Sequence, residues 1–154
     1  MTDDLALLPP SGRFQGPLHL FPVRVYYEDT DLSGIVYHAN YLRWFERARS
    51  DMLRLLGIDQ RAAVEAGEGA YAVAEITIRY LVPAKLDDAL VILTEATEIR
   101  AASVRLLQRV SRGGNLLAEA AVRVGFISPD GRPKRQPSAW RTAFDPLLSA
   151  KDPA

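Results

Sequence analysis

The chain has 154 residues, 48% of them hydrophobic and 25% charged, which suits one ordinary globular domain around a single core. Lys+Arg and Asp+Glu both number 19, so no net charge recommends nucleic acid or an anionic membrane as a general partner, and no apolar run is long enough to span a membrane. Cys is absent and His19 and His38 are the only histidines. This excludes a thiol nucleophile, a Cys-held cluster, a disulfide and a three-His metal site within one chain, and it fits a cytoplasmic protein.

Residues 1–18 hold Pro9, Pro10, Gly12, Gly16 and Pro17 and read as a flexible leader, with acids where a secretion signal needs basic residues. LFPVRVYYE, residues 20–28, is predicted as the first strand, with Val23, Val25 and Tyr27 on one face. A long helix follows over residues 40–56. At about 100° per residue, Tyr41, Phe45, Ala48, Met52 and Leu55 share a face, widened by Leu42, Trp44, Leu53 and Leu56. Arg47 with Asp51 and Glu46 with Arg49 have the spacing of surface ion pairs. Arg49 is an outlier, because its angle falls between those of the apolar Leu56 and Leu42. Gly57 supplies the helix stop, and a short helix is expected near Gln60–Ala66.

Four strands come next. Residues 71–82 alternate Ala72, Ala74, Ile76, Ile78, Tyr80 and Val82 without interruption until Pro83. Residues 89–99, 103–111 and 116–128 are the others. Arg112-Gly113-Gly114-Asn115 makes a tight hairpin between the last two, and Pro129-Asp130-Gly131 ends the series. The order strand, long helix, four strands joined by short turns predicts an α+β domain, a five-stranded antiparallel sheet wrapped around a central helix, which is the hotdog architecture. The domain is expected over residues 19–137, with a C-terminal tail over 138–154 that has room for a short helix.

Several chemistries lack their motifs. There is no G-x-S-x-G elbow and no phosphate-binding P-loop. Gly67-Glu68-Gly69-Ala70-Tyr71-Ala72 fits a loose dinucleotide pattern but follows a helix and precedes a strand, the reverse of the required context. The segment Asp29–Asn40 carries more. It places Asp29 and Asp31 in a turn made possible by Gly34, and Tyr37, His38 and Asn40 where the helix begins. A carboxylate facing a helix N-terminus can attack or activate water while the positive end of the helix stabilises an oxyanion. The same residues also make an ordinary capped turn, with Asn40 as the cap, and spacing alone leaves both readings open.

The run DTDLSGIVYHANYLRWFERAR resembles the motif of the YbgC-like acyl-CoA thioesterases, linked in bacteria to the Tol-Pal cluster and part of the 4-hydroxybenzoyl-CoA thioesterase group of hotdog proteins. The resemblance is dense over residues 22–57 and looser to about residue 137. It implies hydrolysis of an acyl-CoA to free acid and CoA. Asp31, the second acid of D-x-D, would be the nucleophile or the general base, and the backbone N–H near His38 the oxyanion donor, with the His38 ring assisting. Asp29, Gly34, Tyr37 and Asn40 would shape the turn, and Glu46 and Arg49 would stabilise the helix or a subunit contact. Arg132, Lys134 and Arg135 would reach the CoA phosphates, unless they are only solvated surface. No metal or other cofactor is implied. A homodimer or homotetramer with the acyl pocket at the subunit interface is, and acyl carrier protein is a further candidate partner. Partial burial of Asp31 by Tyr and Val neighbours would raise its pKa. The rival readings are a hotdog hydratase or dehydratase, which needs a His and an acid to move protons, and a non-catalytic module that binds acyl groups.

Overall fold

Alternating apolar residues in four long runs give the chain one sheet face to bury, and the apolar stripe of the long helix is what buries it. A computed structural model describes residues 5–149. Its strands are β1 (Arg13–Gln15), β2 (Leu18–Arg24), β3 (Ala70–Tyr80), β4 (Ala89–Ile99), β5 (Ser103–Arg112) and β6 (Asn115–Ile127). They form one antiparallel sheet in the order β1-β2-β4-β5-β6-β3. Helix α1 (Asn40–Leu55) packs on one face of the sheet, α2 (Gln60–Glu65) follows it, and α3 (Ser138–Ser149) comes last among the described elements. This is the expected α+β hotdog fold, with six strands rather than five.

The sixth strand comes from the leader. Gly16, at φ +59°, turns the chain so that Arg13 pairs with Leu20 and Gln15 with Leu18. Three residues are too few to show an alternating pattern, so the irregular leader ends at Gly12 rather than at residue 18. Residues 1–4 of the expected leader and 150–154 of the expected tail lie outside the described residues. The strand expected over 20–28 is also shorter, because β2 stops at Arg24 and Tyr27–Asp29 form a single 3-10 turn. The chain must leave the sheet there to reach the mouth of α1.

Helix α1 buries Tyr41, Trp44, Phe45, Ala48, Met52 and Leu53 against Ile92, Leu106, Val110, Ala120 and Val122 of the sheet. Leu42 and Leu55, assigned to the same face, remain 41% and 44% exposed. Leu42 sits at the rim of the stripe, and in the last turn Leu53 and Leu56 rather than Leu55 turn toward the core. The Arg47–Asp51 pairing is not made. Asp51 turns inward instead, where its carboxylate accepts hydrogen bonds from His19 Nε2 (2.7 Å), Ser11 Oγ (2.9 Å) and the Gly12 N–H (3.0 Å). A Cβ on Gly12 would stand 2.1 Å from the Leu20 carbonyl oxygen and 2.9 Å from Asp51 Oδ2, so only glycine lets the leader cross here.

Candidate active site

The turn that carries Asp31 is built from backbone. The Gly34 N–H donates to Asp31 O (3.0 Å) and the Asp31 N–H to Ile35 O (2.9 Å), with Gly34 at φ +83°. This is a tight hairpin loop closed by a residue in the left-handed region, which is why glycine stands there. Val36 N–H donates to Ala84 O (2.8 Å), so the loop is clamped to the segment that enters β4. Ser33 donates twice to Asp31 Oδ1, from its N–H (2.8 Å) and from its hydroxyl. The other carboxylate oxygen, Oδ2, has no hydrogen bond among the described residues.

Asp29 faces the opposite way. It is 8% exposed, and its two oxygens are taken by the Tyr26 N–H (2.8 Å) and by Asn40 Nδ2 (2.9 Å). Asn40 is therefore the first residue of α1 with its side chain tied back to the turn, not the cap it was expected to be. The cap position falls on Ala39, which makes no side-chain bond. Neither the His38 nor the Ala39 N–H has an acceptor among the described residues, as the unfinished start of a helix requires. Tyr80, which the motif does not include, donates its hydroxyl to His38 O (2.8 Å), and the rings of Tyr37 and His38 lie 4.6 Å apart. Removing the Asn40 amide leaves a buried charged oxygen of Asp29 unmet. Asn40→Ala is expected to cost about 1–3 kcal/mol, read as a lower denaturant midpoint with an unchanged slope.

The electrostatics of the turn differ from the expectation of a raised carboxyl. Asp31 is fully exposed, and the Ser33 hydroxyl and N–H, followed by the nearby His38, hold its pKa below the ordinary carboxylate range. It is thus an anion at neutral pH and a poor base. One oxygen is anchored and the other is free to approach an electrophile. The free N–H groups at the helix mouth can donate to an oxyanion.

Arg132, Lys134 and Arg135 are not brought to this turn within one chain. They follow β6, whose last residue pairs with Ala70, while Tyr80 beside His38 is at the other end of β3, about 33 Å away at 3.3 Å per residue. Arg132 lies 3.6 Å from Asp130, and Lys134 donates to Glu68 O. Among the described residues no three His, Cys, Asp or Glu side chains cluster to hold a metal ion, and no helix is long and apolar enough to cross a membrane.

The fold and this turn match a known group of proteins. The profile of the thioesterase-like superfamily covers residues 25–147, and the chain belongs to that family. Within it the chain resembles the YbgC proteins: it is 44% identical over 125 residues to the acyl-CoA thioesterase YbgC of Haemophilus influenzae, covering 78% of this chain and 92% of that protein. A probable thioesterase from Bartonella henselae superposes with a TM-score of 0.74 at 36% identity, over 78% of this chain and 99% of that one. A 4-hydroxybenzoyl-CoA thioesterase, solved as an Asp-to-Asn variant complexed with 4-hydroxybenzoyl-CoA, superposes with a TM-score of 0.76 at 26% identity, over 84% and 99% of the two chains.

Proposed function

We propose that this protein hydrolyses an acyl-CoA thioester to the free acid and CoA, with Asp31 as the reactive carboxylate and the N–H groups of His38 and Ala39 as oxyanion donors. The observation that carries the reading is the free Oδ2 of Asp31, a carboxylate that feels the charge of His38, together with unbonded N–H groups of His38 and Ala39 at the mouth of α1. The YbgC relative named an acyl-CoA thioesterase, and the Asp-to-Asn thioesterase complexed with its substrate, support the same assignment.

Two routes use the same geometry. In the first, Oδ2 attacks the thioester carbonyl, the oxyanion takes the helix N–H groups, and collapse expels CoA thiolate, which takes a proton. The resulting acyl–aspartyl anhydride is opened by water, restoring the carboxylate. In the second, Asp31 takes the proton of an attacking water and returns it to the departing sulfur. The depressed pKa of Asp31 favours the first route. In labelled water, a single turnover by that route puts the label into Asp31 or the acid according to which anhydride carbonyl is opened; the second route labels only the acid.

A second copy of the chain completes the reading. Strand β3 is at the edge of the sheet, and Val73, Tyr80, Leu81 and Val82 on or just after it are each more than 40% exposed. A long exposed edge is a template for pairing. Antiparallel pairing of two β3 strands about their middle would set Tyr71–Val73 of one copy near Tyr80 of the other. The basic residues Arg132, Lys134 and Arg135 of one protomer would then approach Asp31 of its partner, where CoA phosphates could meet them.

The experiment is release of free thiol from a panel of short, long and aromatic acyl-CoAs, run also with acyl carrier protein thioesters, with mass in solution measured alongside. Release from at least one donor by a dimer or tetramer is expected. No release from any donor would leave the acyl-binding module as the better reading.

A further inference from the structure

The two amides proposed as oxyanion donors are not held alike. In a trans peptide the C=O and N–H of one planar unit point in opposite directions, so whatever holds the carbonyl also aims the N–H of the next residue. The unit that carries the His38 N–H is held by backbone alone: its carbonyl, Tyr37 O, accepts from the Asn40 N–H (2.9 Å). The unit that carries the Ala39 N–H has His38 O as its carbonyl. A regular helix would give that oxygen the Leu42 N–H, four residues on, but Leu42 donates to Ala39 O instead (3.2 Å). Among the described residues the one donor to His38 O is the Tyr80 hydroxyl (2.8 Å).

Tyr80 is the last residue of β3, where its backbone is fixed by pairing with Ala118 of β6. Its ring stands edge-on to that of Tyr41, with centroids 5.4 Å apart, and Tyr41 is buried in the first turn of α1. A second edge-on contact, at 6.3 Å, is made with the His38 ring. The hydroxyl is therefore presented to His38 O from a strand and a helical turn that are themselves fixed. Partial burial holds its pKa above the ordinary tyrosine value, so it keeps its proton at neutral pH. Its hydrogen bond also draws electrons toward the carbonyl oxygen, which makes the N–H of the same peptide a stronger donor.

We propose that Tyr80 is a positioning residue of the thioesterase site: by holding His38 O, its hydroxyl aims and polarises the Ala39 N–H for the oxyanion. The proposal rests on the thioesterase reading above. Removing an oxyanion donor outright costs about a hundredfold to a thousandfold in kcat, so loosening one of two should cost about tenfold. The donor acts on the oxyanion more than on the ground-state thioester, so the loss falls on kcat rather than on KM.

Tyr80→Phe is the test. It keeps the ring with its edge-on contacts, removes one hydroxyl from a half-exposed residue and leaves Asp31 in place. On the preferred acyl-CoA, kcat is expected to fall about tenfold with KM within about twofold of wild type and the oligomer mass unchanged. A variant kcat within about twofold of an active wild type would overturn the role of Tyr80 and leave the thioesterase reading standing. Relaxation of the backbone amides, measured without substrate, separates aiming from general loosening. In Tyr80→Phe the Ala39 order parameter is expected to drop by about 0.1 or more from a rigid value of about 0.85, while that of His38, held through Asn40, stays at its wild-type value. No drop at Ala39, or an equal drop at both amides, sinks the proposal. Release of no thiol by wild type would strike the hydrolytic reading instead, and an unchanged Ala39 amide would still remove Tyr80 from any role at the helix mouth.

Discussion

Replacing Asp31 by Asn is expected to lower kcat on the preferred thioester by about a thousandfold while Tm and oligomer mass stay at wild-type values. The amide has the size of the carboxylate and its oxygen still accepts from Ser33, so the turn keeps its shape. What is lost is the anionic oxygen that attacks carbon or accepts a proton. Because Ser33 and His38 keep the Asp31 pKa below the ordinary carboxylate range, wild-type kcat/KM should hold its plateau through that range, with its acid limb displaced below it. Near-normal turnover in Asp31→Asn would remove Asp31 from the chemistry.

The largest stability effect is expected at Asp51. Its side chain is 4% exposed and accepts from His19, Ser11 and Gly12 at once. Asp51→Ala leaves these donors facing a buried gap, at a cost of about 3 kcal/mol, or a Tm lower by roughly 6–12 °C. A calorimetric Tm within 2 °C of wild type would show that the leader is held by other contacts.

The same pair makes stability depend on pH. Burial keeps the His19 pKa below 6.5, outweighing the hydrogen bond and charge of Asp51. In the folded chain His19 therefore stays neutral, and its Nδ1 is buried without a partner. As pH falls below about 6.5 the unfolded chain binds a proton that the folded chain refuses, so stability drops. Burial raises the Asp51 pKa, but the bonds from His19, Ser11 and Gly12 outweigh it and the net shift is downward. Its contribution is present above about pH 3.8 and is lost as pH falls through the depressed folded value. Melts between pH 7 and pH 5 should show a decline attributable to His19.

The contrast between these two aspartates shows what a linear reading can reach. Asp31 was legible because its partners are near in the chain: Ser33, Gly34 and Ile35 close the turn, and the helix that supplies its donors starts within ten residues. The buried stripe of α1 was legible for the same reason, since helical periodicity is a local property. Asp51 looked like half of a surface pair with Arg47, because its real partners are 32 to 40 positions away. Arg49 was flagged by its angle on the helix wheel, but Gln108, the residue that holds it, belongs to β5. Tyr80 reached His38 only once β3 was placed at the sheet edge. Strand β1 left no alternation to detect.

The clasp of Ser11 and Gly12 on Asp51 also sets an order of events during synthesis. Ser11 and Gly12 are made 40 and 39 residues before their acceptor, and β2 finds β4 only after Leu90–Thr94 have been made. Ser11 and Gly12 thus wait unsecured until Asp51 is made, and an arrest of translation before α1 leaves them with nothing to hold.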